Sequence, residues 1–429
     1  MTVVPHRILL ADADQFFVAV ARMVDPGGAG KAKLLIVGGV PGGRGVVCSA
    51  SYETRAFGVR SAMPIGRALK LCPNAMCIPV PRGACSEKSR EIKAVLERFT
   101  PVVRGASVDE WYLDMGGTEA LYHHEPLHVT ARRIRDAVLA ETGLSVSFGG
   151  GTNRLIAKLA VEFAKPKPGS GQTGVYIVLP GTEATFMRDR VALADIPGVG
   201  PRFQEALAKH DLVRVADVLP HDRTALERWF GERTGGWLWE RARGMGGHEV
   251  TPRAAAKSVS REDTFDRDLN TDDEIERELR RLVAKVASDL RDDALIARTI
   301  TVRLKYTDFS RRSMSRTLRE PVESDRAIAD VAVTLLGALR RKRRGPVRLA
   351  GVALSGLADA SDRQLSLLDP DQTVTKRLVP PVETHRGDPQ RANPSAAESA
   401  RDRTVSRVMD TVREKFGKDA LNRGPARKR

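Results

Sequence analysis

The chain has 429 residues, which is more than one ordinary domain needs and enough for three or four. Its net charge is +16, and so basic a balance favours a polyanionic partner, of which nucleic acid is the commonest. Aromatic residues make up only 5% of the chain, so we expect few stacking platforms for single-stranded bases.

The sequence carries no signal for a membrane span or for export. The apolar stretch at residues 7–10 is too short for a signal peptide, and no run of apolar residues approaches 18. The four cysteines form no C-x-x-C pair, which predicts reduced structural thiols rather than disulfides or a zinc site. These cysteines are Cys48, Cys72, Cys77 and Cys85.

Helices and strands are predicted to alternate up to about residue 165. Residues 7–12 indicate a buried strand that ends in an acid, and residues 14–23 indicate the helix that follows it. The spacing is not that of regular βαβ units, so we expect an antiparallel sheet covered by helices on one face. The remaining predictions are strands at 34–37, 46–48 and 144–148, a hairpin at 106–114, and helices at 65–71, 86–99, 126–141 and 153–164.

The composition changes after residue 165. Residues 185–245 are predicted to form a small helical domain, and residues 251–257 an exposed linker. Residues 258–357 indicate a second mixed domain, and the Pro, Asp, Arg and Ser content beyond residue 359 predicts mostly disordered chain. The predicted helices of this half are at 272–292, 325–342 and near 400–416, and its strands are at 299–306 and 347–354.

Two groups of acids lie on predicted strands. Asp12 ends the first strand, and Asp109 and Glu110 lie on a later one. Magnesium prefers oxygen ligands from a few carboxylates plus substrate phosphates, and two ions about 4 Å apart can activate a hydroxyl and stabilise a leaving pyrophosphate. Ordinary surface acids at a sheet edge are the alternative, and each motif taken alone favours that interpretation.

Several motifs extend this pattern in a fixed order. They are Asp12-Ala-Asp-Gln-Phe-Phe, residues 50–64, residues 107–114, residues 153–166 and Ile196-Pro-Gly-Val-Gly. Together they resemble the Y-family DNA polymerases, in particular the DinB or DNA polymerase IV branch, from about residue 7 to residue 357. The resemblance implies an α+β multidomain, right-hand polymerase fold with palm, small fingers, helical thumb with a helix-hairpin-helix, and C-terminal little finger.

The resemblance also implies where the domains begin and end. The clamp-binding peptide would lie just after the last folded strand. The implied ranges are palm 1–23, fingers 24–81, palm again 82–171, thumb 172–246, linker 247–257, little finger 258–358, and a mostly disordered tail 359–429 that carries the clamp-binding peptide.

Roles for individual active-site residues follow from the same resemblance. Asp12 and Asp109 would bridge two Mg²⁺ ions, and Glu110 would help to hold the catalytic ion. The main-chain carbonyl of Ala13 would be a further ligand. Phe17 matches the steric gate, whose ring leaves no room for a 2′-hydroxyl. The triphosphate contacts would be Tyr52, Arg55 and Lys165, while Asp14 and Asp114 would support the site without binding metal.

Contacts to DNA and to a sliding clamp are implied as well. Gly198 and Gly200 lie in the helix-hairpin-helix turn, where backbone N–H groups can approach a phosphate. Arg303 and Lys305 share one face of a strand, which suits a duplex backbone. The clamp-binding residues would be Gln364, Leu365, Leu367 and Leu368, and Leu368 stands where the family usually has Phe.

The implied function is error-prone translesion synthesis, in which a dNTP is added to a primer 3′-hydroxyl by two-metal catalysis without a proofreading exonuclease. Its setting would be DNA damage tolerance and untargeted mutagenesis, in a cytoplasmic, nucleoid-associated monomer. The implied partners are primer–template DNA, a dNTP and the β subunit of the sliding clamp, and the implied cofactor is two Mg²⁺ ions per site.

Two alternatives remain open at this point. A catalytically idle relative could act as a DNA- and clamp-binding adaptor, although such a protein would typically lack the metal acids. A different palm-fold enzyme, such as a nucleotide cyclase, would need neither a thumb turn nor a little finger. Departures from the family pattern at Ala13, Ala21, Ser86 and Trp111 remove no metal ligand, but Trp111 could alter the packing behind the site.

Overall fold

A computed structural model of the chain describes residues 6–166, 173–251, 255–362 and 398–417. The chain divides into two compact units, Met1–Ala254 and Ala255–Arg429. Within the described ranges, no helix is both long and apolar enough to cross a membrane. All four cysteines are free thiols.

The first unit contains two sheets and the helices that surround them. The predicted strands and helices up to residue 165 are all present, with ends that shift by a few residues. In chain order its elements are β1 (Ile8–Ala13), α1 (Phe16–Val24), β2 (Leu35–Gly38), β3 (Val47–Ala50), α2 (Tyr52–Arg55), α3 (Ile65–Leu71), β4 (Met76–Pro79), α4 (Arg82–Leu96), β5 (Val103–Gly105), β6 (Glu110–Asp114), α5 (Leu127–Thr142), β7 (Val146–Gly151), α6 (Arg154–Ala164), β8 (Val175–Ile177), α7 (Glu183–Arg190), α8 (Pro201–Ala208), α9 (Val215–Val218), α10 (Arg223–Phe230) and α11 (Glu232–Ala242).

Strand β1 lies at the centre of the larger sheet, whose strand order is β5-β6-β1-β7-β8. It runs antiparallel to both β6 and β7, and only the β7–β8 pair is parallel. Leu9 and Ala11 face a core built with α4 and α5, whereas Ile8 and Leu10 face α6. The expectation of helices on one face only is therefore wrong. The unbroken apolar run of β1 reflects burial on both faces.

Helix α6 packs on β7 at unusually short range, and Gly149 makes this possible. A Cβ atom at Gly149 would lie 2.2 Å from the carbonyl oxygen of Ala157 and 2.2 Å from the backbone nitrogen of Val161. Any side chain here would push the helix away from the sheet. This contact fixes the position of α6, which presents Lys158 and ends at its C-cap residue Lys165.

The smaller sheet and the helical region complete the first unit. Strand β2 pairs antiparallel with β3 and parallel with β4, and their core includes Ile36, Val47 and Ile65. Helices α7 to α11 surround a separate core that contains Leu226 and Leu238. The predicted helical character of residues 185–245 is confirmed.

The second unit is a four-stranded antiparallel sheet with helices on one face. Its strand order is β11-β10-β12-β9, and the opposite face is exposed. The predicted helices at 272–292 and 325–342 have the observed bounds, while the two predicted strands are longer than expected. The elements are β9 (Ser258–Leu269), α12 (Asp272–Asp292), β10 (Leu295–Tyr306), β11 (Arg311–Val322), α13 (Asp325–Lys342), β12 (Val347–Asp359) and α14 (Ala400–Phe416).

Helix α14 confirms the helix expected near residues 400–416, and it packs on the rest of the second unit through a buried arginine. The Arg291 side chain is only 5% exposed, and its Nε donates to Asp410 Oδ2 at 2.6 Å. Its Nη2 donates to Asp325 Oδ1 at 2.9 Å. A buried guanidinium needs such partners because an unpaired charge in the interior is costly.

Replacement of Asp410 by Asn should lower the free energy of unfolding of the second unit by about 1–3 kcal/mol, because Arg291 would lose one of its two charge partners. Urea denaturation of the full chain measures this change. The control is Glu414→Gln, which alters an exposed acid on the same helix. Equal stability of Asp410→Asn and the wild type would show that Asp325 and the Glu323 carbonyl satisfy Arg291 without Asp410.

Candidate active site

The sheet register brings the predicted metal acids to one end of two neighbouring strands. Asp12 on β1 is directly opposite Glu110 on β6. Asp109 immediately precedes β6, rather than lying within the strand as expected, and its carbonyl accepts a 2.9 Å hydrogen bond from Ala13 N. Asp12 and Glu110, which are 98 positions apart in the chain, are therefore held as backbone neighbours.

Each of the two opposed acids has a lysine partner from α6. Lys165 Nζ lies 3.0 Å from Asp12 Oδ2, and Lys158 forms an ion pair with Glu110. Burial raises the pKa of Asp12 to about 6, against the lowering effect of the Lys165 ammonium group. The Lys165 pKa is itself raised, since Asp12 and Glu162 more than offset its burial, so the lysine stays charged.

The Asp109 carboxylate is bonded to its near neighbour in the chain, Ser107. Its Oδ1 accepts a hydrogen bond from the Ser107 hydroxyl at 2.5 Å. Among the described residues, no three Asp, Glu, His or Cys side chains lie close enough together to form one metal site. The strands bring the backbones of Asp12, Asp109 and Glu110 together, whereas their three carboxylates do not converge.

Asp14 and Asp114 have structural partners. Ser145 and Ser147 each donate a hydroxyl hydrogen bond of 2.7 Å to Asp14, whose pKa is raised by burial. Asp114 Oδ1 accepts from Gly116 N at 2.9 Å. These contacts favour the expectation that neither acid is a metal ligand.

Phe16 and Phe17 differ in exposure. Phe16 is 2% exposed and belongs to the core, whereas Phe17 is half-buried and meets the Phe16 ring edge-on at 5.6 Å. Trp111, one of the departures from the family pattern, is also buried in that core and fills the space behind β6. Only the Phe17 ring therefore presents a surface to a ligand.

The short helix α2 carries Tyr52 and Arg55. Tyr52 N donates to Gln15 Oε1 at 3.1 Å, which ties α2 to the turn between β1 and α1. The Arg55 guanidinium lies 5.6 Å from the Tyr52 ring centroid, and its Nε donates to Ala50 O at 2.9 Å. Burial and then the Asp14 carboxylate raise the pKa of Tyr52, so this phenol lies within electrostatic reach of the acids.

Sequence reasoning assigned no role to Lys158 or Gln15. The signal for Lys158 was present, because it lies seven residues before Lys165 and thus two turns away on the same side of α6. Gln15 gave no such signal. Its left-handed backbone, with φ of +48°, and its bond to α2 are visible only in the structure.

The two glycines of the thumb turn differ in what they permit. Gly198 has φ of +109°, and a Cβ atom there would lie 2.8 Å from the Trp237 ring, so the fold itself requires glycine. Gly200, the N-cap of α8, has an ordinary φ of −82° and open space around it. The packing of the turn accounts for Gly198 but leaves the glycine at 200 unexplained.

Arg303 and Lys305 lie on the exposed face of the second unit's sheet, as their alternation predicted. Arg303 Nη1 is 2.8 Å from Glu262 Oε1, so part of its charge is already neutralised. The four predicted clamp-binding residues, Gln364, Leu365, Leu367 and Leu368, lie outside the described residues.

Comparison with known proteins identifies the family. The model described as "impB/mucB/samB family" matches residues 11–162, and the model of that family's C-terminal domain matches residues 256–367. The DNA polymerase IV of Halorhodospira halophila is 36% identical over 354 residues, which are 82% of this chain and 95% of that protein. The chain is a member of the Y family of DNA polymerases.

Other relatives agree with this assignment. The DNA polymerase IV of Xanthomonas euvesicatoria is 35% identical over 83% of this chain and 96% of its own length. A solved Y-family polymerase chimera of Dbh and Dpo4 covers 82% of this chain and 99% of its own, with a TM-score of 0.71 and 24% identity, and shows the same fold. The expected polymerase fold is thereby confirmed.

Family membership also decides between the functional alternatives. The chain is a DNA-directed DNA polymerase of the translesion type, as the sequence motifs predicted. The relatives carry the name DNA polymerase IV, and the match spans nearly their full length. Neither an idle adaptor nor a nucleotide cyclase is therefore favoured.

Asp12→Asn should stabilise the protein in the presence of EDTA at pH 7.5. A raised pKa means that the buried carboxyl favours folding in its protonated form, so its contribution is complete below about pH 4 and is lost as pH rises through about 6. The free energy of unfolding should rise by about 1–3 kcal/mol at pH 7.5, and this increase should shrink towards pH 4. Urea denaturation across this range measures it, with the exposed Asp136→Asn as control.

Proposed function

We propose that this polymerase adds a deoxyribonucleoside triphosphate to a primer 3′-hydroxyl at the end of β1 and β6, with two magnesium ions as cofactors. The observation that supports it best is the opposed register of Asp12 and Glu110, with Asp109 bonded through its main chain to β1. The proposed ligands are Asp12, Asp109, Glu110 and the main-chain carbonyl of Ala13.

The donor chemistry of these residues fits magnesium. Carboxylate and carbonyl oxygens are the ligands that this hard cation prefers, and the buried Asp12 carboxylate needs a positive partner. When bound, the two ions would supply Lewis-acid activation of the attacking hydroxyl and neutralise the pyrophosphate that leaves. The Asp109 side chain would have to release Ser107 to join the other two acids.

The two lysines of α6 would act before and during the reaction. In the structure described here, Lys165 neutralises Asp12 and Lys158 neutralises Glu110. A triphosphate would offer Lys165 new oxygen partners, and a point charge at that position would offset the charge that builds on the leaving group. Tyr52 and Arg55 would orient the same phosphates from α2.

Phe17 would select the sugar. Its ring is half-buried and backed by Phe16, so it cannot easily retreat from a ligand. A rigid ring beneath the sugar leaves room for a hydrogen atom at the 2′ position but clashes with a hydroxyl group.

The DNA and clamp contacts belong to the same proposal. In the first unit, the turn that contains Gly198 and Gly200 would approach a phosphate through backbone N–H groups. In the second unit, Arg303 and Lys305 would contact the duplex backbone. The clamp peptide from Gln364 to Leu368 would bind a β sliding clamp, and we expect the protein to act as a monomer on the nucleoid.

Asp109→Ala should abolish primer extension, with a loss of roughly a thousandfold or more in rate, because one of the three carboxylates proposed to hold the magnesium ions would be missing. Binding of primer–template DNA should change less than about twofold, since DNA contacts lie elsewhere. Single-turnover extension with magnesium and fluorescence anisotropy measure the two quantities.

The matched control for this experiment is Asp136→Asn, which should extend primers like the wild type. Full activity of Asp109→Ala would refute the ligand assignment. Failure of the wild-type chain to extend a primer at any DNA concentration would refute the proposed reaction as a whole.

Phe17→Leu should raise the use of ribonucleotides relative to deoxyribonucleotides by about tenfold or more, because the smaller side chain leaves space for the 2′-hydroxyl. The ratio of kcat/KM for ATP and dATP opposite the same template base measures this preference. Activity with dATP serves as the internal control for folding. An unchanged ratio would assign Phe17 to packing alone.

A further inference from the structure

The hairpin between β10 and β11 ends in an exposed aromatic residue with an unfavourable backbone. Phe309 is 58% exposed and has φ of +63°, the left-handed conformation that favours glycine or asparagine. Phe309 N donates to Tyr306 O at 2.9 Å, and Tyr306 N donates to Ser310 O at 3.0 Å. The chain therefore holds a bulky side chain where a small one would be less strained.

The tip of this hairpin is held by bonds that do not involve the Phe309 side chain. Asp308 accepts from the Ser310 hydroxyl at 2.7 Å and from Arg343 Nη2 at 2.8 Å. The Thr307 hydroxyl donates to Asp268 Oδ2 at 2.6 Å. The negative charge of Asp308 is thus neutralised, and the turn keeps its shape without help from the ring.

Two cations flank the ring. Lys305 Nζ lies 4.6 Å from the ring centroid, and the Arg348 guanidinium carbon lies 4.9 Å from it. Neither cation takes part in a salt bridge with any described acid, in contrast to Arg303, which pairs with Glu262. The tip therefore combines an exposed apolar surface with two cations whose charge is not neutralised by a salt bridge.

Part of this sheet face carries small polar side chains. Hydroxyl pairs join β10 to β11 at Thr299–Thr317 and Thr301–Ser315, each at 2.9 Å. Such a surface lets a polyanion approach closely and accept hydrogen bonds. The exposed ring lies at the end of that face, beyond Lys305.

We infer that Phe309 is a DNA-contacting residue, whose ring packs on a deoxyribose of a duplex backbone while Lys305 and Arg348 bind the phosphates on either side. The inference rests on the proposed DNA-binding role of the second unit and adds a residue and a mode of contact to it. Backbone strain retained at an exposed position indicates a function that offsets its cost. The flanking cations favour a sugar between two phosphates over an unpaired base.

The test is Phe309→Gly in the full chain. Glycine relieves the left-handed strain, so the melting temperature should stay the same or rise by about 1–3 °C. Affinity for a blunt 20-base-pair duplex should fall roughly fivefold to tenfold, since the sugar contact is lost. The slope of log affinity against log salt should not change, because no phosphate contact has been removed.

Two further variants make the result specific. Lys305→Met should weaken binding and also reduce the salt slope by roughly one phosphate contact. Val408→Ala, which removes another exposed apolar side chain in the same unit, should leave affinity unchanged. Phe309→Tyr, which keeps the ring, should bind like the wild type.

Each other outcome would contradict the inference. A lower melting temperature for Phe309→Gly would make the ring a structural element, and unchanged duplex affinity would remove its contact with DNA. A loss seen with a single-stranded oligonucleotide but not with the duplex would replace the sugar by an unpaired base. Failure of the wild type to bind the duplex would overturn the proposed DNA-binding role as well, whereas normal binding by Phe309→Gly would overturn this inference alone.

Discussion

The close packing of α6 on the central sheet is the constraint on which the active site depends. Gly149 lets the helix backbone approach β7 so closely that the helix cannot be displaced without rebuilding the sheet. The same helix presents the two lysines that neutralise Asp12 and Glu110. Burial of one face of β1 and neutralisation of the acid at its end are thus achieved by one element. The opposed strands supply the carboxylates, and α6 supplies the charge that makes their burial tolerable.

Much of this fold could be predicted because the relevant signals are local. Helix α12 has an amphipathic pattern and a capping box, in which the side chains of Thr271 and Glu274 each accept a hydrogen bond from the other residue's backbone N–H. Its bounds therefore follow from the sequence. The Ser324 side chain marks the start of α13 by accepting a hydrogen bond from Ala327 N. The candidate metal acids could be singled out because several motifs occurred in register, although each acid alone was weak evidence, and their role as ligands stays a prediction.

What could not be predicted depends on contacts between distant parts of the chain. The apolar run of β1 indicates burial, but nothing local shows that a helix covers each face. The docking of α14 depends on Arg291 and Asp410, which are 119 positions apart and look like ordinary surface charges in the sequence. The orientation of the Asp109 carboxylate towards Ser107 is a side-chain choice that no spacing pattern encodes. Likewise, nothing in the sequence around Phe309 indicates that its backbone is strained.

The lysine partners of the two opposed acids have a thermodynamic consequence. Because Asp12 and Glu110 already hold internal counter-ions, a divalent cation that arrives alone must displace an ammonium group from its carboxylate. A triphosphate removes that penalty by giving the displaced lysine a new anion. Under the proposed mechanism, cation and nucleotide affinities would therefore be reciprocally coupled, each raising the other by the same factor. The empty polymerase would hold its cations weakly, and occupancy of the catalytic centre would report on the presence of a nucleotide.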